Sequence, residues 1–334
     1  MSKTVALVLG SGGARGMAHI GIIEELEARG YNIISVSGCS MGSVIGGFYC
    51  AKKLDPFYQW MKSLSYMDLL RLVDFSFISN GAIRGDKVFS VLSEILGDVQ
   101  IEDLEIPFTA VATDLVSAKE VWFQRGSLEQ AMRASVAIPG LFQPVELNNA
   151  LLVDGGVLNP LPIAASVAAH ADLIIAVDLN ADVPIPKPEH TDSIETAKPD
   201  EEEKVEDEKV EDEKVEDQKA EDEKAWLNTM VDKASGWFNH ESGPAEPVSV
   251  KIQNTPSSLG KIDILYQMFE VMQASLSQYK IAGYPPDLLV KIPKTCGEMF
   301  DFHRTEEIVN IGRQVAKEAL DAFEQGRSSL YIQL

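Results

Sequence analysis

One serine in this chain stands in a pattern that can support nucleophilic chemistry. Ser40 is the centre of the pentapeptide GCSMG, residues 38–42. The apolar, β-branched residues 32–37 before it predict a short buried strand, and residues 43–51 after it predict a buried helix. A strand that passes into a helix over so few residues must turn sharply, which presents the serine hydroxyl at the carboxyl end of the strand. We therefore interpret this segment as a nucleophile elbow.

A glycine-rich loop could supply the donors that such a serine needs. It reads GSGGARG over residues 10–16, between an apolar strand predicted at residues 4–9 and a helix. Backbone N–H groups without bulky side chains can approach the oxyanion that forms when a serine attacks an ester, and the helix N-terminus adds its positive dipole. Arg15 could either support that charge or hold the loop by hydrogen bonds.

Two nucleotide-binding interpretations of the loop fit less well. A dinucleotide fingerprint needs GxGxxG with an acid after the second strand, but here Arg15 takes the place of the third glycine and the second strand ends in Ser37-Gly38. A P-loop needs a Gly-Lys-Ser/Thr ending, which the loop lacks. The oxyanion-hole interpretation is favoured, and a nucleotide-binding protein remains the alternative from another class.

The residues alone leave the base for Ser40 open. Asp154 follows a strand predicted at residues 151–153 and precedes two glycines, so its carboxylate could approach a neighbouring group closely. It could equally cap the strand through an Asx turn. A Ser-Asp-His triad would instead require a histidine after the acid, and His303 in the segment FDFHR is the candidate. The other histidines lie on the first helix, at a helix end or in the acidic segment described below.

Composition and charge restrict the partners. The 334 residues carry a formal net charge of −22, which argues against a nucleic-acid ligand and against electrostatic capture by anionic membranes. Three scattered cysteines do not suggest a disulfide framework or a zinc site. No apolar stretch reaches the length of a membrane-spanning helix. We expect a cytoplasmic protein, with peripheral membrane contact left open.

Predicted strands and helices alternate along the chain, which indicates an α/β domain with a mostly parallel sheet. Residues 182–247 differ because they are rich in proline and glycine and contain four acidic five-residue repeats at 205–224. We expect this insertion to be disordered, apart from a possible amphipathic helix at 225–239 with an aromatic stripe. That stripe could dock on the core or on a second subunit, cover the site or contact lipid. Residues 1–181 and 248–334 would then form one catalytic domain.

Four blocks in this order resemble the patatin-like phospholipases: GSGGARG at 10–16, GCSMG at 38–42, RASVAIPG at 133–140 and DGG at 154–156. The segment FDFHR at 300–304 is similar to the bacterial branch related to neuropathy target esterase. The resemblance covers residues 4–180 and 258–320 and excludes the acidic insertion. It implies a three-layer α/β/α fold with a central, mostly parallel sheet.

The resemblance also implies a serine acyl hydrolase that cleaves phospholipids, lysophospholipids or related lipid esters without a metal or cofactor. Ser40 would be the nucleophile and Asp154 the base, first for the serine and then for water, with no histidine. Gly12 and Gly13 would form the oxyanion hole, with Arg15 beside them. The other motif glycines are Gly10, Gly16, Gly38, Gly42, Gly155 and Gly156. A triad esterase that uses His303 and a catalytically silent regulator on the same fold are the alternatives.

The acidic repeats should be dispensable for chemistry. Replacing residues 198–224 by a short Gly/Ser linker should leave the turnover of a water-soluble ester within about a few-fold of the parent value, because loop length changes cost little free energy. Steady-state kinetics with circular dichroism as the folding control would measure this. A collapse of turnover in a folded variant would place the repeats in the site.

Overall fold

An eight-stranded sheet runs through the part of the chain that the computed structural model describes, residues 3–72, 85–186 and 261–326. The strand order is β5-β6-β3-β2-β1-β7-β8, with β4 paired to β3 as a side branch. Strands β3, β2, β1, β7 and β8 run parallel, whereas β4, β5 and β6 pair antiparallel. The strands are β1 Thr4–Leu9, β2 Asn32–Cys39, β3 Phe108–Asp114, β4 Lys119–Phe123, β5 Val145–Leu147, β6 Ala150–Asp154, β7 Leu173–Ala181 and β8 Leu288–Pro293.

Helices cover both faces of this sheet and complete the predicted three-layer α/β/α arrangement. The α-helices of the described residues are α1 Ala18–Ala28, α2 Met41–Cys50, α3 Leu54–Ser63, α4 Tyr66–Leu72, α5 Asp86–Leu96, α6 Leu128–Ser135, α7 Lys261–Gly283 and α8 Thr305–Glu324. On the face opposite α1, α2 and α8, a 3₁₀ segment, Ile163–Ala169, packs against β1 and β2.

Strand β1 lies at the centre of the sheet and separates two hydrophobic cores. Val5, Leu7 and Leu9 point into the larger core, which also contains the apolar faces of α1, α2 and α8. Val8 points to the opposite face, where it packs with Leu161 of the segment that follows β6. Since successive side chains of a strand alternate between faces, a continuous apolar strand is what a sheet covered on both sides requires.

One edge of β3 determines where the predicted site residues meet. β4 pairs along one edge of β3, so β2 and β6 share the other edge. There β2 runs parallel to β3 and ends with Cys39 opposite Val111. β6 runs antiparallel to β3 and ends with Asp154 opposite Ala112. The two strands therefore end at consecutive positions of β3, and the residue after the end of β2 is Ser40.

The strands and helices predicted around the motifs are present, with bounds that differ by a few residues. The short strand β5 and the antiparallel side of the sheet were not predicted. The proposed insertion at 182–247 lies outside the described residues, except for 182–186, and so does the aromatic stripe at 225–239. The chain divides into residues 1–187 with 267–334 and residues 188–266, of which only 261–266, the start of α7, are described. Among the described helices, none has the length and hydrophobicity needed to cross a membrane.

Helices α1 and α8 pack with their backbones in close contact. A Cβ at Gly312 of α8 would collide with the carbonyl oxygen of Ala18 on α1, and a Cβ at Gly21 of α1 would collide with the carbonyl oxygen of Val309 on α8. These two glycines therefore set how closely the helix pair approaches.

Gly312→Ala should lower the free energy of unfolding by about 1–3 kcal/mol, because the added methyl group must push backbone away from backbone. Thermal or urea denaturation would measure the change. Gly283→Ala is the matched control, since a Cβ at this end of α7 would meet nothing within 4 Å. Equal stability of Gly312→Ala and the parent would show that the two helices can separate at no cost.

Candidate active site

Ser40 occupies the turn between β2 and α2 in a strained backbone conformation. Its φ is 54° and its ψ is −125°, a combination that costs about 1–3 kcal/mol for a residue with a side chain. Gly38 and Gly42 permit the turn because a Cβ on Gly38 would overlap the backbone of Gly42, and one on Gly42 would overlap the end of β1. The elbow is therefore formed as predicted. Ser40 is only 3% exposed, however, because the elbow is packed among the ends of neighbouring strands.

Ser135 fastens the elbow to β3. Its buried hydroxyl accepts a hydrogen bond from the backbone N–H of Ser40 at 2.9 Å and donates one to the carbonyl of Val111 at 2.6 Å. On the other side of the turn, the Ser43 hydroxyl donates to the carbonyl of Ser40 at 2.7 Å. Sequence reasoning assigned no role to Ser135, although it lies inside the RASVAIPG block. A polar residue in the last turn of a helix gives no sign of its partner until the helix is placed.

Asp154 is fully buried beside the elbow. Its Oδ1 accepts a hydrogen bond from the backbone N–H of Gly156 at 2.7 Å, whereas its Oδ2 has no hydrogen-bond partner among the described residues. Burial raises the pKa of Asp154 to about 7, and the Ser40 hydroxyl, the Gly156 N–H and the Cys39 thiol oppose part of that rise. The Asx turn weighed as an alternative is present, but it occupies only one of the two carboxylate oxygens.

Cys39 is a neighbour of this carboxylate that sequence reasoning did not connect with it. The thiol is fully buried, and its Sγ lies 3.9 Å from Asp154 Oδ1. Burial and then the charge of Asp154 raise the pKa of Cys39 well above its usual value, so the sulfur stays protonated and can act only as a weak donor. Cys39 therefore belongs to the wall around Asp154, and its thiol is not a competing nucleophile.

In the glycine-rich loop, the backbone N–H groups on either side of Gly12 and Gly13 are used in hydrogen bonds. The N–H of Gly10 donates to Val177 at 3.1 Å, that of Ser11 to Pro160 at 2.8 Å, and that of Ala14 to Met299 at 2.8 Å. Within the described part of the chain, the N–H groups between them, of Gly12 and Gly13, donate to no carbonyl outside the helical turn that they begin. The loop therefore presents two adjacent free donors, at the two positions predicted for an oxyanion hole.

Packing places this loop beside the elbow. A Cβ on Gly16 would overlap the side chain of Met41, the residue after Ser40. Gly13 takes a positive φ of 57°, and a Cβ there would overlap Met299. Larger residues at these positions would push the loop away from the elbow or distort it.

Arg15 fixes the glycine-rich loop through the hydrogen bonds of its guanidinium. Its guanidinium donates to Glu270 Oε1 at 2.8 Å, to Asn180 Oδ1 at 3.2 Å and to the carbonyl of Lys294 at 3.4 Å. These contacts favour the second of the two roles considered for Arg15, that of fixing the loop by hydrogen bonds. His19 supports the loop similarly, since its Nε2 lies 2.9 Å from the carbonyl oxygen of Gly10 and burial lowers its pKa to about 4.

The histidine considered for a triad lies elsewhere. His303 is exposed, in a 3₁₀ turn before α8, and its ring packs edge-on against Tyr66 with the centroids 5.6 Å apart. Among the hydrogen bonds of the described residues, no histidine contacts Asp154. The structure therefore brings together Ser40, Asp154 and the glycine-rich loop, and leaves His303 outside the group.

Comparisons with known proteins identify the family of this chain. The patatin-like phospholipase family model matches residues 7–167. An uncharacterized NTE family protein of Mycobacterium tuberculosis is 39% identical over 362 residues, which cover 97% of this chain and 93% of the relative. Human patatin-like phospholipase domain-containing protein 6 is 26% identical over 97% of this chain and 21% of its own length. A Candida glabrata protein named lysophospholipase NTE1 is 32% identical over 54% of this chain and 11% of its own length.

The fold, the elbow and the glycine-rich loop define a patatin-like protein. The chain belongs to the patatin-like phospholipase family, in the branch related to neuropathy target esterase. Membership supports the hydrolysis of lipid esters in general terms.

Because the pKa of Asp154 is raised in the folded state, ionisation of this residue should lower the stability of the fold. Between pH 4 and pH 7 the unfolded chain loses the Asp154 proton while the folded chain keeps it, because burial raises the folded pKa to about 7. The folded state then binds more protons, so this residue's contribution to stability falls as the pH rises through that window. Asp154→Asn should therefore gain stability relative to the parent from pH 4 to pH 7, as measured by melting temperatures.

Asp114→Asn is the matched control, since Asp114 also ends a strand but its pKa is lowered, chiefly by the hydrogen bond from the Ser117 hydroxyl. As the pH rises through the acid range, its parent carboxylate should gain stability over the amide. The same pH trend in both variants would contradict the burial argument.

Proposed function

We propose that this protein is a serine acyl hydrolase that cleaves lipid esters through a dyad of Ser40 and Asp154. The observation that carries the proposal is the buried Asp154 carboxylate, with one oxygen unpaired, next to the hydroxyl of a strained elbow serine. A serine hydroxyl becomes a useful nucleophile only when an adjacent base takes its proton. With its pKa raised to about 7 by burial, Asp154 would be a much stronger base than an exposed carboxylate.

In the first half-reaction the Ser40 oxygen attacks the ester carbonyl carbon while Asp154 accepts the hydroxyl proton. The negative charge that develops on the carbonyl oxygen is stabilised by the free N–H groups of Gly12 and Gly13 and by the helix N-terminus behind them. The tetrahedral intermediate collapses to an acyl-serine. The alcohol part of the lipid leaves with the proton that Asp154 held.

In the second half-reaction water replaces the alcohol. Asp154 takes a proton from the water while the water oxygen attacks the acyl carbon. The same two N–H groups stabilise the second oxyanion. The intermediate collapses, the acyl group leaves as a carboxylic acid, and Ser40 recovers its proton from Asp154. Each group is therefore restored, and the reaction consumes only water.

The dyad is preferred to the triad because of where His303 lies. A triad histidine must contact both the serine and the acid, whereas the ring of His303 is exposed against Tyr66. Among the described residues the side-chain contacts of Asp154 come from Cys39 and from the turn at Gly156, and none comes from a histidine. The names of the relatives suggest phospholipids or lysophospholipids as the lipid esters.

Ser40→Ala and Asp154→Asn should each lower kcat for a soluble p-nitrophenyl ester by about a thousand-fold or more, because each removes a group on which every step depends. Ser40→Ala should also abolish labelling by a fluorophosphonate probe. His303→Ala should keep the parent kcat within about three-fold. Steady-state kinetics would measure these effects, with the melting temperature of each variant as the folding control.

Ser90 is an exposed serine on α5, and Ser90→Ala controls for non-specific labelling. Loss of activity in His303→Ala equal to that in Ser40→Ala, with an unchanged melting temperature, would indicate a triad. A parent protein that neither hydrolyses esters nor reacts with the probe would indicate a silent regulator on this fold.

A further inference from the structure

Helix α7 turns its polar side toward the candidate active site. Gln273 and Ser277 are 3% and 1% exposed, and Glu270 and Lys280 are paired with residues of the sheet and its loops. By contrast, Met268, Val271 and Tyr279 are 66%, 70% and 73% exposed. A helix that buries glutamine and serine while leaving large apolar side chains in solvent is not held by hydrophobic burial alone. Its inner face must have specific polar partners.

Gln273 lies between the two loops of the site. Its Nε2 donates to the Ser11 hydroxyl at 2.9 Å, in a buried contact with the glycine-rich loop. The same nitrogen lies directly over Gly156, so that a Cβ there would collide with it. Gly156 is the residue whose N–H holds Asp154 Oδ1 at 2.7 Å. One side chain therefore contacts the loop that carries the proposed oxyanion donors and the turn that orients the proposed base.

Two ion pairs hold α7 in place on either side of Gln273. Three positions earlier, Glu270 binds Arg15 of the glycine-rich loop at 2.8 Å. Seven positions later, Lys280 binds Glu120 of β4 at 2.7 Å. Partial burial would raise the pKa of Glu120, but Lys280, Trp122 and Asn159 together hold it below its usual value. These contacts fix the rotation of α7 about its axis and its position along that axis. The Gln273 amide therefore meets the two loops in one orientation.

We infer that Gln273 is a positioning residue, which keeps the glycine-rich loop and the Asp154 turn in register so that the oxyanion donors meet the carbonyl that Ser40, activated by Asp154, attacks. The inference rests on the proposed function. Gln273 contacts Ser11 and Gly156 rather than Ser40, so it contributes no proton and no donor of its own. A small displacement between two reacting groups can cost about a hundred-fold in rate, which is why such a residue should affect kcat.

Gln273→Met tests this role because methionine has nearly the same length and volume but cannot donate to Ser11. We expect kcat for the soluble ester to fall about ten- to hundred-fold with KM unchanged within about two-fold. The rate of fluorophosphonate labelling of Ser40 should fall by the same factor. Ser11→Ala removes the acceptor of the same hydrogen bond, so it should lower kcat, and the double variant should be no slower than the slower single variant.

Ser277→Ala, a buried position on the same face one turn later, is the matched control and should keep the parent kcat. Should Gln273→Met fail to fold, Ser11→Ala tests the hydrogen bond by itself. Parent-like kcat and labelling in Gln273→Met, or losses that multiply in the double variant, would overturn the inference while leaving the proposed function intact. A parent protein that shows neither hydrolysis nor labelling would overturn both.

Discussion

The candidate site depends on the hydrogen-bonding edge of β3. Because β4 occupies one edge, β2 and β6 must share the other, and they end at the adjacent positions Val111 and Ala112. The directions of the two strands then place the elbow and Asp154 next to each other. Ser135 reinforces the arrangement by bonding both the Ser40 N–H and the Val111 carbonyl. The separation of the proposed nucleophile and base is therefore set by backbone ladders and not by flexible side chains.

This arrangement works against stability at two points. Ser40 holds a backbone conformation that side-chain-bearing residues avoid, and Asp154 is a carboxyl group without contact with water, with its pKa raised to about 7. In the proposed mechanism both features favour chemistry, since the first orients the Ser40 hydroxyl and the second strengthens the proposed base. The rest of the fold must supply the opposing free energy, and burial of the larger core around β1, α1 and α8 contributes to it. Local disagreement with folding preferences is typical of functional sites.

The loop that carries the proposed oxyanion hole is held by polar contacts. Arg15 connects the glycine-rich loop to Glu270 and Asn180, His19 binds its first carbonyl, and Gln273 binds Ser11. None of these contacts uses the N–H group of Gly12 or Gly13. They restrict the loop without using the donors, which is the preorganisation that electrostatic stabilisation of an oxyanion requires.

The sequence by itself determined the α/β class, most strands and helices, and the two segments that carry Ser40 and the free N–H groups, because these features depend on local glycine spacing and apolar runs. It also identified Asp154 and His303 as candidate bases. The residues alone left that choice open, since it depends on which strand ends lie side by side, and only the family resemblance favoured Asp154. The sequence also gave no indication that Gln273 on α7 faces inward and Val271 outward. Only the tertiary structure shows which of these residues are neighbours. Strand pairing and the contacts of buried polar groups join residues far apart in the chain, and local patterns carry no record of those partners.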